Sequence, residues 1–124
     1  MPFRILVVDD DADVRDVLTR FLKRRGYTVE HASDGKEALD AVREHEPDLM
    51  LLDIYLPRMT GLDVLLHLRE EDLHTRTIAV SGLPDDQIVK SSKELGAVDF
   101  MAKPFDFSAL TAKIDATLVA AVMA

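Results

Sequence analysis

A chain of 124 residues is the size of one folded domain with a core of its own and leaves no room for a second. Its formal net charge of -8, from Lys+Arg 15 against Asp+Glu 23, opposes nonspecific binding to nucleic acid or to an anionic membrane. The absence of cysteine excludes a disulfide framework and thiolate metal sites, and makes a reducing cytoplasm the simplest compartment.

In chain order, apolar runs alternate with amphipathic stretches. Ile5-Leu6-Val7-Val8 predicts a strand over 4–9 that is buried on both faces, because no polar residue interrupts it. Met1-Pro2-Phe3-Arg4 leads straight into that strand, so no charged leader with an apolar core is expected, and no later stretch is long enough to span a bilayer. Asp11 is placed to cap a helix presenting Val14, Val17, Leu18, Phe21 and Leu22 on one face, with Gly26 as its stop. A short strand over 27–32 precedes a helix carrying Ala38, Leu39 and Val42. Asp34 and Glu37 are spaced for its capping box, and it ends before Pro47. Leu49-Met50-Leu51-Leu52 predicts a third strand over 48–53. A loop with Pro57, Thr60 and Gly61 then leads to a helix bearing Leu62, Val64, Leu65 and Leu68. A fourth strand over 77–81 is followed by a helix with Pro84 in its first turn, running through Leu95 and stopped by Gly96. A fifth strand over 98–102 and a helix capped by Asp106, with Phe107, Leu110, Ile114 and Leu118 on its apolar face, complete the pattern. Residues 1–120 are read as the folded unit, and 121–124 as a frayed end or the stub of a linker.

Five strands alternating with five helices imply right-handed crossovers and a parallel sheet covered on both faces. Ligands of such sheets bind outside the carboxyl ends of the strands. The polar residues at those ends are Asp9 and Asp10, Asp53, Ser81 and Lys103. Clustered carboxylates repel one another unless a cation shares the site, and a hard divalent ion meets that need: magnesium, with manganese as the alternative. A carboxylate nucleophile, magnesium, a hydroxyl and an ammonium are together the parts of a site that handles phosphoryl groups. Asp11 is assigned to the helix cap alone. His31, His45, His67 and His74 fall on different elements and predict no shared metal site. Met50, Met59 and Met101 are read as fillers of core and loop gaps, and Arg69-Glu70-Glu71-Asp72 as a solvated helix end.

Four segments, in order and suitably spaced, carry a resemblance. They are Ile5 to Asp11, Leu51-Leu52-Asp53-Ile54-Tyr55-Leu56-Pro57-Arg58-Met59-Thr60-Gly61, Ala79-Val80-Ser81-Gly82, and Gly96 through Lys103-Pro104-Phe105. Over nearly its whole length the chain resembles the receiver domain of bacterial two-component response regulators. The resemblance implies a flavodoxin-like, doubly wound (βα)5 α/β fold, its five-stranded parallel sheet in the order 2-1-3-4-5. It implies that Asp53 accepts a phosphoryl group from a histidine kinase or phosphotransfer protein, and that Asp9, Asp10 and Asp53 hold magnesium with the backbone carbonyl of Tyr55. Ser81 and Lys103 would bind phosphoryl oxygens, Gly82 would leave room for access, and the Lys103-Pro104 bond would be cis. Phe100 falls at the aromatic switch position, where many members have tyrosine, so a phenolic hydroxyl is missing there. With Ser81 it would reshape the face of the fourth helix, fifth strand and fifth helix, around Lys90, Phe100 and Lys113, for a downstream effector or output domain.

In the resembled fold Tyr55 and Leu83 flank the path of a hydrolytic water, and their uncharged bulk implies a long-lived acyl phosphate. Such a domain is not an enzyme in the ordinary sense, since it catalyses only its own phosphorylation and dephosphorylation. It is cytoplasmic and touches neither nucleic acid nor membrane directly. Two alternatives belong beside this reading. One is a receiver cut from a longer transcription factor or hybrid kinase. The other is a magnesium-dependent aspartyl phosphatase, which is disfavoured because a phenol two residues after Asp53 is a poor general acid at neutral pH and no substrate cap is inserted.

Overall fold

The computed structural model describes residues 2–123. β1 (Arg4–Val8), β2 (Thr28–Ala32), β3 (Leu49–Asp53), β4 (Arg76–Ser81) and β5 (Asp99–Ala102) alternate with α1 (Ala12–Arg24), α2 (Gly35–His45), α3 (Gly61–Glu70), α4 (Asp86–Glu94) and α5 (Phe107–Met123). The strands form one parallel sheet in the order β2-β1-β3-β4-β5. This is the doubly wound, flavodoxin-like α/β architecture. Its strand order reverses between β1 and β3, which opens a crevice at their carboxyl ends.

The uninterrupted apolar runs have a direct cause in this topology. Alternate residues of a strand point to opposite faces, so Ile5 and Val7 of β1, with Leu49 and Leu51 of β3, join Leu18, Leu22, Leu110, Ile114 and Leu118 under α1 and α5. Leu6, Val8, Met50 and Leu52 face the other way, onto Ala38, Leu39, Val42, Val64, Leu65 and Leu68 of α2 and α3. A strand sandwiched in this way has no side that tolerates a polar residue until it leaves the sheet.

The helix ends refine several expectations. Asp11 caps α1 by accepting from the Asp13 and Val14 amides. Asp34 accepts from the Glu37 amide, but the reciprocal half of the expected capping box does not form. Glu37 reaches one residue further back, to the Ser33 amide and hydroxyl, both at 2.7 Å. A complete capping box occurs instead at α3, between Thr60 and Asp63. Pro84 lies outside α4 rather than in its first turn, because Asp85 is the cap and accepts from the Ile88 amide at 2.8 Å. Val17 is exposed rather than part of the buried stripe of α1, and Phe107 is likewise at the surface. α5 continues through Met123, so 121–123 are helical. Met1 and Ala124 lie outside the described residues.

One glycine ties the fold to the crevice. A Cβ on Gly61 would sit 2.5 Å from the Asp53 carbonyl oxygen and 2.7 Å from the Ile54 Cα, both backbone atoms that cannot turn aside. The Gly61 amide also donates to the Ile54 carbonyl at 2.8 Å. The first residue of α3 is thereby pressed against the strand end that carries Asp53. Gly61→Ala is therefore expected to lower stability by about 1–3 kcal/mol, the usual cost of overpacking. Urea unfolding measures it, and an unchanged midpoint would contradict the close approach.

Candidate functional site

The carboxyl ends of four strands meet at the crevice. Asp53 is the last residue of β3, and its register partner on β4 is Val80. Ser81 ends β4 opposite Ala102 of β5, so Lys103 is the first residue to leave the sheet beyond it. Backbone bonds lock these ends together: Ile54 donates to the Val80 carbonyl at 2.9 Å and Lys103 to the Ser81 carbonyl at 2.8 Å. Asp9 follows β1, its amide donating to the Ala32 carbonyl of β2 at 3.2 Å.

Side chains converge from both sides of the reversal point. The Lys103 ammonium lies 2.5 Å from Asp9 Oδ2 and 3.0 Å from Asp53 Oδ2, bridging the two carboxylates. Asp53 Oδ1 accepts from the Tyr55 amide at 3.0 Å, and Asp9 Oδ1 from the Asp11 amide at 2.9 Å. Asp9 and Asp53 are almost wholly buried, at 3% and 6% exposure, whereas Asp10 stands at the surface. Ser81 is fully buried, and its hydroxyl oxygen accepts from the Leu83 amide at 3.0 Å. The Lys103-Pro104 peptide bond is cis.

Charge is the dominant fact here. Burial pushes the Asp53 carboxyl above the ordinary range. Its bonds to Lys103 and to the Tyr55 amide pull it partly back, and the neighbouring Asp9 charge works in the same direction as burial. Burial also works against the Lys103 ammonium, but its bonds to Asp9 and Asp53 outweigh that and hold its pKa above the usual lysine value. One ammonium is thus shared between two buried carboxylates, with a third at the rim.

That surplus of negative charge fits a hard cation. One oxygen each from Asp9, Asp10 and Asp53 lies within 4.8 Å of the others. Oxygens bound to one magnesium ion at about 2.1 Å are at most about 4.2 Å apart, so a small closure of the three would suffice. Among the described residues this is the one such group, and the four histidines do not form another. His45, His67 and His74 instead lie near Glu30, Glu71 and Asp72 respectively.

Other expected residues are placed as follows. Tyr55 is 45% and Leu83 71% exposed, so both side chains stand outside the core, although their amides hold Asp53 and Ser81. Phe100 is half-buried and packs on the core cluster beneath α2 and α3. A Cβ at Gly82 would meet only Lys103 Cβ, at 3.9 Å, so no protein atom crowds that position. Met50 and Met101 are core residues, and Met59 lies against Gly35. Sequence reading missed Arg15, whose guanidinium donates to the Asp9 carbonyl at 2.7 Å. The available signal was a cation in the first turns of a helix that follows an acidic run.

These features define a doubly wound α/β domain with an acidic crevice at its topological switch point. The chain belongs to the response regulator receiver domain family, which matches residues 5–115. It is 41% identical over 120 residues to the response regulator MprA of Mycolicibacterium vanbaalenii, covering 95% of this chain and 51% of that protein. It thus spans about half the length of that relative. Sporulation initiation phosphotransferase F of Bacillus subtilis is 38% identical over 103 residues, 83% of each chain. A chain in the crystal structure of the CheX-CheY-BeF3-Mg2+ complex from Borrelia burgdorferi superimposes with a TM-score of 0.90 at 31% identity, covering 95% of this chain and 90% of that one. The protein is a receiver domain of two-component response regulators, a phosphoacceptor signalling module.

The raised pKa of Asp53 has a thermodynamic consequence. A carboxyl that binds its proton more tightly folded than unfolded contributes stability below its unfolded pKa and loses it as pH rises through the folded value. Ionised Asp53 is therefore a liability at neutral pH, and Asp53→Asn should leave Lys103 paired with Asp9 alone. We expect the variant to melt above the native protein at pH 7 in a chelator, with the gap closing below the ordinary carboxylate range. A lower melting temperature at pH 7 would contradict the charge balance drawn here.

Proposed function

We propose that Asp53 is the phosphoacceptor, and that Asp9, Asp10 and Asp53 hold magnesium, or manganese in its place, together with the Tyr55 carbonyl. The single observation behind this reading is the Lys103 ammonium bridging two buried carboxylates beside a third. The Borrelia complex supports it, since it brings CheX and CheY together with BeF3 and Mg2+.

A donor phosphoryl group aligned with an Asp53 carboxylate oxygen forms a P–O bond there as its bond to the donor breaks. That bond is P–N for a phosphohistidine and P–O for acetyl phosphate. Lys103 lies where it can turn from a carboxylate to a phosphoryl oxygen. The Ser81 hydroxyl, which accepts from Leu83, still has its own proton to donate. Bound magnesium supplies positive charge for the phosphoryl and aspartyl oxygens.

The domain proper is residues 1–120, with 121–124 leading out of it. A histidine kinase or phosphotransfer protein supplies the group. An apolar groove of about 410 Å³ beside Lys103, with Val14, Val17, Phe105 and Phe107 in its wall, gives such a protein a surface next to the site. Signal leaves through α4, β5 and α5, where Lys113 pairs with Asp99 at 3.0 Å and Lys90 with Glu94 at 4.0 Å. Among the described residues no helix is long and apolar enough to cross a membrane, and we place the protein in the cytoplasm without direct nucleic-acid contact. The half-length match to MprA favours a second reading, in which this receiver governs an output region of a longer protein.

Incubation with acetyl phosphate and magnesium tests the acceptor. Intact mass should show one added phosphoryl group on the native protein and none on Asp53→Asn, and full labelling of the variant would overturn the assignment. Repeated turnover of phosphomonoesters would instead favour the phosphatase.

The acyl phosphate is expected to be long-lived. Hydrolysis needs a water in line behind phosphorus, and Tyr55 and Leu83, whose amides bond to Asp53 and Ser81, carry exposed bulk without charge. Tyr55→Asn with Leu83→Glu should hasten loss of the group, by tenfold as an order of magnitude (~1.4 kcal/mol in barrier), while leaving its addition intact. A rate equal to or below the native one would show that these side chains do not shield it.

A further inference from the structure

α1 carries a cation at its less favourable end. Positive charge is disfavoured near a helix N-terminus, yet Arg15 is the fourth residue of α1 and is half-buried. The plain explanation would be an ion pair with the surrounding Asp9, Asp10, Asp11, Asp13 or Asp16. Among the described residues Arg15 has no such pair. Its guanidinium donates to a backbone atom, the Asp9 carbonyl, at 2.7 Å.

That bond completes the fixing of Asp9. The amide donates to Ala32, Oδ1 accepts from Asp11, Oδ2 accepts from Lys103, and the carbonyl accepts from Arg15. Asp10 is different: its side chain is exposed and has no hydrogen bond or ion pair among the described residues. The direction of Asp10 therefore depends on the peptide plane before it, and the oxygen of that peptide is the one Arg15 holds.

We infer that Arg15 is a positioning residue: by holding the Asp9 carbonyl it orients the Asp9-Asp10 peptide and aims the Asp10 carboxylate into the acidic crevice. The inference rests on reading Asp9, Asp10 and Asp53 as the magnesium-holding group. Arg15 touches neither phosphoryl group nor carboxylate. Its loss should weaken magnesium binding without slowing phosphoryl transfer once magnesium saturates, as partners behind metal ligands commonly act on affinity by tenfold or more.

The test is a magnesium titration of the isotopically labelled protein, followed by amide NMR shifts, with no phosphodonor present. Arg15→Met keeps the length and packing of the side chain but removes the donor, and Arg15→Ala removes both. Each should weaken magnesium binding about tenfold, Arg15→Lys should recover part of the loss, and Arg20→Ala, on the exposed side of α1, should bind as the native protein does. Phosphorylation by acetyl phosphate should return to within about twofold of the native rate at saturating magnesium. Should Arg15→Ala not fold, Arg15→Met decides. Native-like magnesium affinity in Arg15→Met overturns the inference, and so does a rate deficit that saturating magnesium fails to repair. If the native protein shows no magnesium-dependent shifts at Asp9, Asp10 and Asp53, the reading of the site falls as well, which separates the two failures.

Discussion

Two buried carboxylates share one ammonium, and much of the molecule is arranged to make that unequal pairing persist. Lys103 bridges Asp9 and Asp53 from just beyond β5, 50 residues after the latter. Neither carboxylate can escape to water, because each ends a strand whose flanks are packed by helices. A buried charge with half a partner costs free energy. The structure accepts that cost at one place while satisfying almost every other buried polar side chain, Thr19 Oγ1 being the exception among the described residues. Such local imbalance is what a site looks like when its charge balance is completed by something that comes and goes.

The rest of the fold can be read as support for that crevice. Parallel pairing places the strand ends side by side, and the 2-1-3-4-5 order sends α1 and α5 to one face and α2 and α3 to the other. A gap between β1 and β3 follows from that division. The loop after Asp53 is then drawn tight by Gly61 against Asp53 itself, and by Arg58, in the left-handed region at φ 66, whose guanidinium reaches Asp34 at 3.3 Å. Left-handed geometry at a non-glycine residue is uncommon and tends to accompany functional loops.

The architecture was legible in the sequence because a doubly buried strand leaves an unmistakable mark: four apolar residues and then an aspartate, twice. Asp9, Asp10, Asp53, Ser81 and Lys103 followed as the polar residues at strand ends, with no tertiary information needed. Less legible were features set by geometry at the scale of a bond. Glu37 has the spacing of a capping box, but Ser33 offers it two donors and wins. Pro84 suits a first helical turn, yet Asp85 caps better and moves the start of α4 two residues on. The crowding at Gly61, where a Cβ would meet the backbone of Asp53 and Ile54, has no mark in the residue pattern. Arg15 was marked only as a cation in the first turns of a helix after an acidic run, and its partner, a backbone carbonyl, is not displayed by any residue pattern.

How a change at Asp53 would reach a partner follows from the same backbone ladder. Ser81 is both the hydroxyl at the site and the end of β4, and β4 is bonded on both sides. Ala79 of β4 is the register partner of Phe100, so the strand that answers to the site is also the one beside the aromatic ring. A phosphoryl group on Asp53 would add acceptor oxygens that compete for the Ser81 proton and for Lys103, and any shift of Ser81 would carry the Leu83 amide with it. Phe100 is half-buried, and the proposed switch would move it between an inward and an outward position. Differential contacts in those two positions, rather than the phosphoryl charge acting at a distance, would set the population of the partner-binding state. Because the ring lacks a hydroxyl, an inward position would leave no polar group to satisfy, and the balance in such a switch would rest on packing alone.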